Sequence, residues 1–110
     1  MKNEKYIIDS KSNILQAISL IKYNKNRMIF ISKNNKIIGS LSNGDILNGL
    51  LNRTDMNANV TKVMNKSFIY LKNKDLKLAK SLFKKTGVSI IPVLNSKMII
   101  DHLYFLNDFL

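Results

Sequence analysis

At 110 residues, 45% of them hydrophobic, the chain is long enough for one compact domain with a modest core and too apolar to be disordered. Its 18 Lys and Arg against 7 Asp and Glu give a formal charge of +11, but the excess is lysine scattered from Lys2 to Lys97 beside abundant Asn and Ile, as A/T-biased codon usage produces. No arginine-rich run, aromatic platform or helix-turn-helix pattern gathers that charge into a nucleic-acid reading surface. The lack of cysteine excludes disulfides and Cys-ligated metal. With neither a signal-peptide core nor an apolar run of membrane-spanning length, the expectation is a cytoplasmic protein without membrane association.

In chain order, Tyr6-Ile7-Ile8 is a short apolar run, and Ser10, Ser12 and Asn13 are candidate caps for a helix. Ile14, Ala17, Ile18 and Ile21 share one face of that helix, which should end near Asn24 to Asn26. Met28–Ile31 and Ile37–Ile38 read as two β runs joined across the polar turn 32–36, a hairpin. The apolar run is then expected to end in a small-residue turn, Gly39-Ser40-Leu41-Ser42-Asn43-Gly44-Asp45, before Ile46, Leu47, Leu50 and Leu51 recur at helical spacing. With Ser42 or Asn43 as cap, this turn has two readings. The unpaired N–H groups and partial positive charge of the helix start, with the Ser42 hydroxyl and the Asp45 carboxylate, suit a phosphorylated ligand. Equally, it is a capped strand-to-helix turn whose backbone Gly44 relieves. The polar stretch from Asn52 to Asn59 carries no apolar period and is read as a connection, with the boundary between residues 58 and 59.

The second half repeats the first. A shift of 62 positions, without a gap, pairs Ile7 with Ile69, Ala17 with Ala79, Leu20 with Leu82, Ile29 with Ile91, Ile38 with Ile100 and Leu41 with Leu103. Such a repeat means two copies of one supersecondary unit, expected to pack face to face about a pseudo-twofold axis. Each copy reads strand, helix, strand, strand, helix. In the second copy these are Phe68–Leu71, Asp75–Thr86, Ile90–Leu94, Met98–Ile100 and Tyr104 onward, with Leu76, Ala79, Leu82 and Phe83 on the helix's apolar face and Gly87 as its C-cap. Pro92 should sit at an edge or a strand start, where its missing N–H is harmless.

On these residues the repeat resembles a CBS motif, and the whole chain resembles one CBS pair, or Bateman module. Gly39 to Asp45 is similar to the family's Gly-x-x-Ser/Thr-x-x-Asp turn, Val60-Thr61-Lys62-Val63-Met64 to the start of the second copy, and Ile91-Pro92-Val93 to its central strand. The string Ser42-Asn43-Gly44-Asp45-Ile46 also resembles that of CBS pairs attached to bacterial sugar-nucleotidyltransferases and sugar-phosphate isomerases, although Leu47 and Asn48 stand where arginines often follow. The resemblance implies an α/β (α+β) fold of two pseudo-twofold-related motifs, residues 1–58 and 59–110, each a small three-stranded sheet with two helices. It further implies an adenosine nucleotide (AMP, ADP or ATP) in the cleft between the repeats as a regulatory ligand, no required cofactor, a homodimer, and a fused or partner enzyme, a sugar-nucleotidyltransferase being favoured.

By the same resemblance, Asp45 would hold the ribose hydroxyls through both carboxylate oxygens, Ser42 would meet the phosphate, and the backbone at Gly39 and Ser40 would line the sugar. Arg27, one of two arginines, has the spacing of a phosphate-reaching residue; its alternative is a solvated turn residue. Phe68, Val88 and Ser89 would line the base, or else are ordinary core. In the second copy Asp101, Tyr104 and Asn107 replace Gly39, Ser42 and Asp45, and the added charge and bulk oppose a ligand, so one working cleft is the maximum. His102, the single histidine, lacks a partner at metal-ligand spacing, and no nucleophile–base pair or carboxylate dyad is recognisable, so no catalytic or metal residue is assigned. The apolar end, Phe105 to Leu110, is expected to be covered by a second module or a further domain. Two rivals to the nucleotide sensor stand beside it: a ligand-free dimerisation module and a basic polyanion-binding surface.

Overall fold

The structure is a computed structural model that describes residues 3–110. The chain folds as two compact units, Met1–Phe68 and Ile69–Leu110. In the first unit the order is β1 (Ile7–Asp9), α1 (Ile14–Asn24), β2 (Met28–Lys33), β3 (Lys36–Ser42) and α2 (Asn43–Leu51). Strand β2 is central, pairing parallel with β1 and antiparallel with β3.

Helix α1 starts where local chemistry says it should. Of the three candidate caps Asn13 is the one used: its side chain accepts from the Gln16 N–H at 2.8 Å while the Gln16 side chain accepts from the Asn13 N–H at 2.9 Å. Ile14, Ala17 and Ile21 are buried in one core with Ile29, Ile31, Leu41, Ile46 and Val60, and Ile18 packs against it half-buried. Asn34 and Asn35, both with positive φ (52° and 67°), make the β2–β3 turn, a conformation that asparagine tolerates better than most side chains.

Two expectations change in this unit. First, the segment Gly39–Ser42 is strand, and α2 follows directly at Asn43, so there is no extended small-residue turn. Second, Gly44 has no left-handed φ and lies exposed in the first turn of α2, so it relieves no backbone strain. Residues 59–68, which follow the expected boundary between the copies, pack within the first compact unit. The Val60 N–H donates to the Ser12 carbonyl at 3.0 Å, and its side chain is wholly buried in the same core as Ile14, Ala17 and Ile21 of α1.

The second unit contains α3 (Leu76–Thr86), β4 (Ile90–Leu94) and β5 (Ile100–Phe105), with β4 and β5 antiparallel. Helix α3 is α1 displaced by 62 positions at both ends, capped by Asp75 and closed by Gly87 at φ 72°. Leu71, Ala79, Phe83, Ile91, Val93 and Tyr104 form the core. The sheet has two strands rather than the expected three: the segment 68–71 contributes a single parallel bridge, Leu71 with Val93. Pro92 explains the truncation. Leu71 donates to the Pro92 carbonyl at 2.9 Å and accepts from the Leu94 N–H at 2.8 Å, so Pro92 turns its nitrogen toward the same segment. The next rung of a parallel ladder would need an N–H on that nitrogen, which proline lacks. Pro92 thus sits mid-strand, but on the open edge of this two-stranded sheet with its nitrogen turned away from β5, the harmless edge position expected of it. The last strand also runs later than expected, from Ile100 through Phe105 with Met98 in the preceding turn, and a short 3₁₀ turn, Leu106–Phe109, stands where a helix from Tyr104 was expected. Tyr104 is drawn into β5 because its ring is buried in the core.

Candidate ligand site at the start of helix α2

Ser42 ends β3 and caps α2. Its Oγ accepts from the Asp45 N–H at 3.2 Å and donates to Asp45 Oδ2 at 3.0 Å, and the Ser42 N–H donates to the same Oδ2 at 2.9 Å. The two half-buried side chains therefore form a reciprocal cap, with the Asp45 charge at the positive end of the helix dipole. The α2 start is also fastened to the β2 side of the hairpin, since the Asn43 N–H donates to the Arg27 carbonyl at 3.1 Å. Arg27 itself is exposed, with φ 65°. The structure thus brings Arg27, Ser42 and Asp45 together around one helix terminus.

Gly39 and Ser40 have a different task. The Ser40 N–H donates to the Asn65 carbonyl at 3.0 Å and its carbonyl accepts from the Asn65 N–H at 2.8 Å, so the N–H is committed to this segment. A methyl group on Gly39 would stand 2.7 Å from Met64 Sδ and 3.2 Å from the Asn65 carbonyl oxygen; glycine is there to admit this segment. Phe68 is half-buried, its ring 6.2 Å from that of the fully buried Phe30 at a 59° tilt. In the second unit Val88 packs against the core and the buried Ser89 accepts from the Leu106 N–H at 2.9 Å through its carbonyl. His102 stacks edge-on against Tyr104 with ring centroids 4.6 Å apart. Among the described residues, no three His, Cys, Asp or Glu side chains group as metal ligands, and no helix is long and apolar enough to cross a membrane.

One residue escaped the sequence reading. Asn24, buried at the end of α1, donates through Nδ2 to the Lys5 and Met28 carbonyls at 2.9 and 3.1 Å and accepts from the Asn26 N–H at 2.7 Å. Its only sequence signal is an asparagine at a helix end, which is commonplace there.

This α+β architecture of three helices and two small sheets is the fold of CBS-domain pairs, and its structural neighbours are CBS-domain proteins. A CBS-domain protein of Pyrobaculum aerophilum, whose structure is a complex with AMP, superposes with a TM-score of 0.78 at 13% identity, over 94% of this chain and 81% of that one. A Methanocaldococcus jannaschii protein put forward as an archaeal homologue of γ-AMPK gives 0.79 at 21% identity, over 94% of this chain and 44% of its own. A Vibrio cholerae protein assigned to acetoin utilization gives 0.82 at 18% identity, over 94% and 78%. No protein-family model matches the sequence, and no curated protein matches it.

Proposed function

We propose that the chain is a non-catalytic regulatory module that binds an adenosine nucleotide at the start of α2 and passes its occupancy to a partner enzyme, a sugar-nucleotidyltransferase being the favoured partner. The observation that carries this is the Ser42–Asp45 pair. Asp45 Oδ2 is held by two donors from Ser42, whereas Oδ1 faces no hydrogen-bond donor among the described residues, so the carboxylate is oriented in advance and keeps an acceptor for a ribose hydroxyl. Arg27, tied to the same terminus through its carbonyl, supplies a cation for the phosphate. Phe68, Val88 and Ser89 stay in the proposed set as base-lining residues. Gly39 and Ser40 act beneath the site by seating Met64 and Asn65. The AMP complex of the Pyrobaculum neighbour supports the ligand class.

Titration of the chain with AMP, ADP, ATP and GTP by calorimetry tests the reading. The expected result is saturable, adenine-selective binding at one site per chain, weakened at least about tenfold in Asp45→Ala, the loss of one charge-assisted hydrogen bond. A thermal melt of the variant separates lost binding from lost fold. Absence of binding by every adenine nucleotide overturns it.

A second reading, an assembly module, is favoured by the face of α2. Leu47, Leu50 and Leu51 are 59%, 50% and 80% exposed at helical spacing. They lie in residues 37–52, the longest stretch without Lys or Arg in this strongly basic chain. A homodimer that survives nucleotide removal, and dissociates in Leu47→Glu, would favour it.

A further inference from the structure

A cavity of about 290 Å³ in the first unit is lined by Ile18, Ile21, Lys22, Lys25, Arg27 and Asn43, between the end of α1 and the start of α2. Its volume lies near the lower bound of small-molecule pockets, roughly 300 Å³. Its lining surface is mostly apolar, from Ile18 and Ile21 and from the carbon of the longer side chains, while Lys22, Lys25, Arg27 and Asn43 bring three cations and one amide to its border, and no carboxylate lines it. Asp45, two residues past Asn43, has its charge turned back on Ser42. None of the Lys22, Lys25 and Arg27 side chains is ion-paired or hydrogen-bonded within the described residues. Lys22 and Lys25 end α1, where the helix dipole favours a cation; that does not account for the third cation, Arg27, which lies beyond the helix. Three like charges around one concavity repel one another, and an anion placed between them relieves the repulsion.

We propose that this cavity is an anion site for a phosphate chain. It is too small for a whole nucleoside triphosphate with its base, but it adjoins the Ser42–Asp45 cap through Asn43. On the nucleotide reading above, on which this part rests, it takes the distal phosphates and makes the preferred ligand a nucleoside di- or triphosphate rather than a monophosphate. Lys22 and Lys25 are then specificity residues: they touch only the phosphates that AMP lacks.

The test titrates the full chain by calorimetry with inorganic tripolyphosphate and sulfate, and separately with AMP, ADP and ATP. Two variants are compared: Lys22→Gln/Lys25→Gln, and the control Lys77→Gln/Lys80→Gln on the exposed face of α3, which removes the same charge elsewhere. The expected result is saturable tripolyphosphate binding at one site per chain, about tenfold or more weaker in the first variant and unchanged in the control. ATP should bind about tenfold more tightly than AMP, and that ratio should collapse toward one in the first variant. Equal weakening in both variants would mean diffuse attraction to lysines and overturns the site, as does failure of tripolyphosphate to bind. Tripolyphosphate binding without any nucleotide binding upholds the anion site and removes the nucleotide reading. Adenine-selective binding with AMP and ATP equal does the reverse.

Discussion

Asn24→Ala is the substitution that most directly tests how the first unit is held. The side chain is 7% exposed and makes three hydrogen bonds, to the Lys5 carbonyl, the Met28 carbonyl and the Asn26 N–H, joining the N-terminal 3₁₀ turn (Glu4–Tyr6), the end of α1 and the start of β2. At about 1 kcal/mol net for each buried bond the loss totals roughly 3 kcal/mol, and water reaching the exposed Lys5 segment returns part of it, leaving about 2–3 kcal/mol. For a chain of this size 1 kcal/mol corresponds to about 4 °C in Tm, so the expected drop is roughly 10 °C. The assay is far-UV circular dichroism during heating and urea titration, with the midpoint shifted and the m-value kept. Asn24→Asp sharpens the reasoning. It retains the acceptor for Asn26 but points an oxygen at two carbonyls, so it should be more damaging than alanine at neutral pH despite its closer shape. An Asn24→Ala protein within about 0.5 kcal/mol of the parent, or an aspartate variant more stable than the alanine variant, would refute the account.

Two further pairs of substitutions test the backbone. Gly87 and Lys25 close α3 and α1 at equivalent places with φ 72° and 61°, and nothing lies within 4 Å of a methyl group built on Gly87. Gly87→Ala should therefore cost about 1 kcal/mol from conformation alone, and Lys25→Gly should gain a similar amount, both read from urea midpoints. Gly49 lies inside α2, where alanine is intrinsically better by about 1 kcal/mol, but its methyl would stand 2.9 Å from Val63 Cγ1. Gly49→Ala should destabilise the parent and stabilise a Val63→Ala background, and a double-mutant cycle measures the coupling.

The repeat was the most legible feature, because a cap, a 3.6-residue apolar period and a left-handed closing residue recur in α1 and α3 and are all local signals. The hairpin was legible for the same reason: Asn34 and Asn35 advertise its turn. What the sequence concealed is set by distant partners. That Gly39 admits Met64 and Asn65 depends on a segment 25 or more residues away, so the glycine looked like a turn former and the strand that contains it looked shorter than it is. The missing third strand of the second unit follows from the orientation of one nitrogen in β4, which the residue type Pro92 alone does not give. Within the candidate site, the Ser42 cap was legible from helix-capping chemistry, whereas Arg27 entered only through the family resemblance. The lysines of the proposed anion site, Lys22 and Lys25, carried no such signal, because scattered lysines acquire meaning only when a cavity collects them.

The two copies also differ in what they do with one position. In the first, Ser42 leaves the strand as a half-buried cap, and its hydroxyl and N–H orient Asp45 at the start of a nine-residue helix. In the second, the equivalent Tyr104 remains in β5, buried at 9% exposure, its ring 4.6 Å from that of His102 and 6.4 Å from that of Phe109, and the chain continues into a four-residue 3₁₀ turn. A tyrosine committed to the core cannot cap, Asn107 carries no charge for a ribose to meet, and a single 3₁₀ turn has a weak dipole. The polar site and the apolar core thus compete for the same residue, and each copy has resolved the competition differently. Nucleotide binding should accordingly stop at one site per chain. Replacing Tyr104 by serine should not create a second site; it should open the core of the second unit at a cost of about 3–5 kcal/mol, seen as a lowered melting temperature. A stoichiometry of two in the parent, or a gain of binding in Tyr104→Ser without loss of stability, would refute this division of labour.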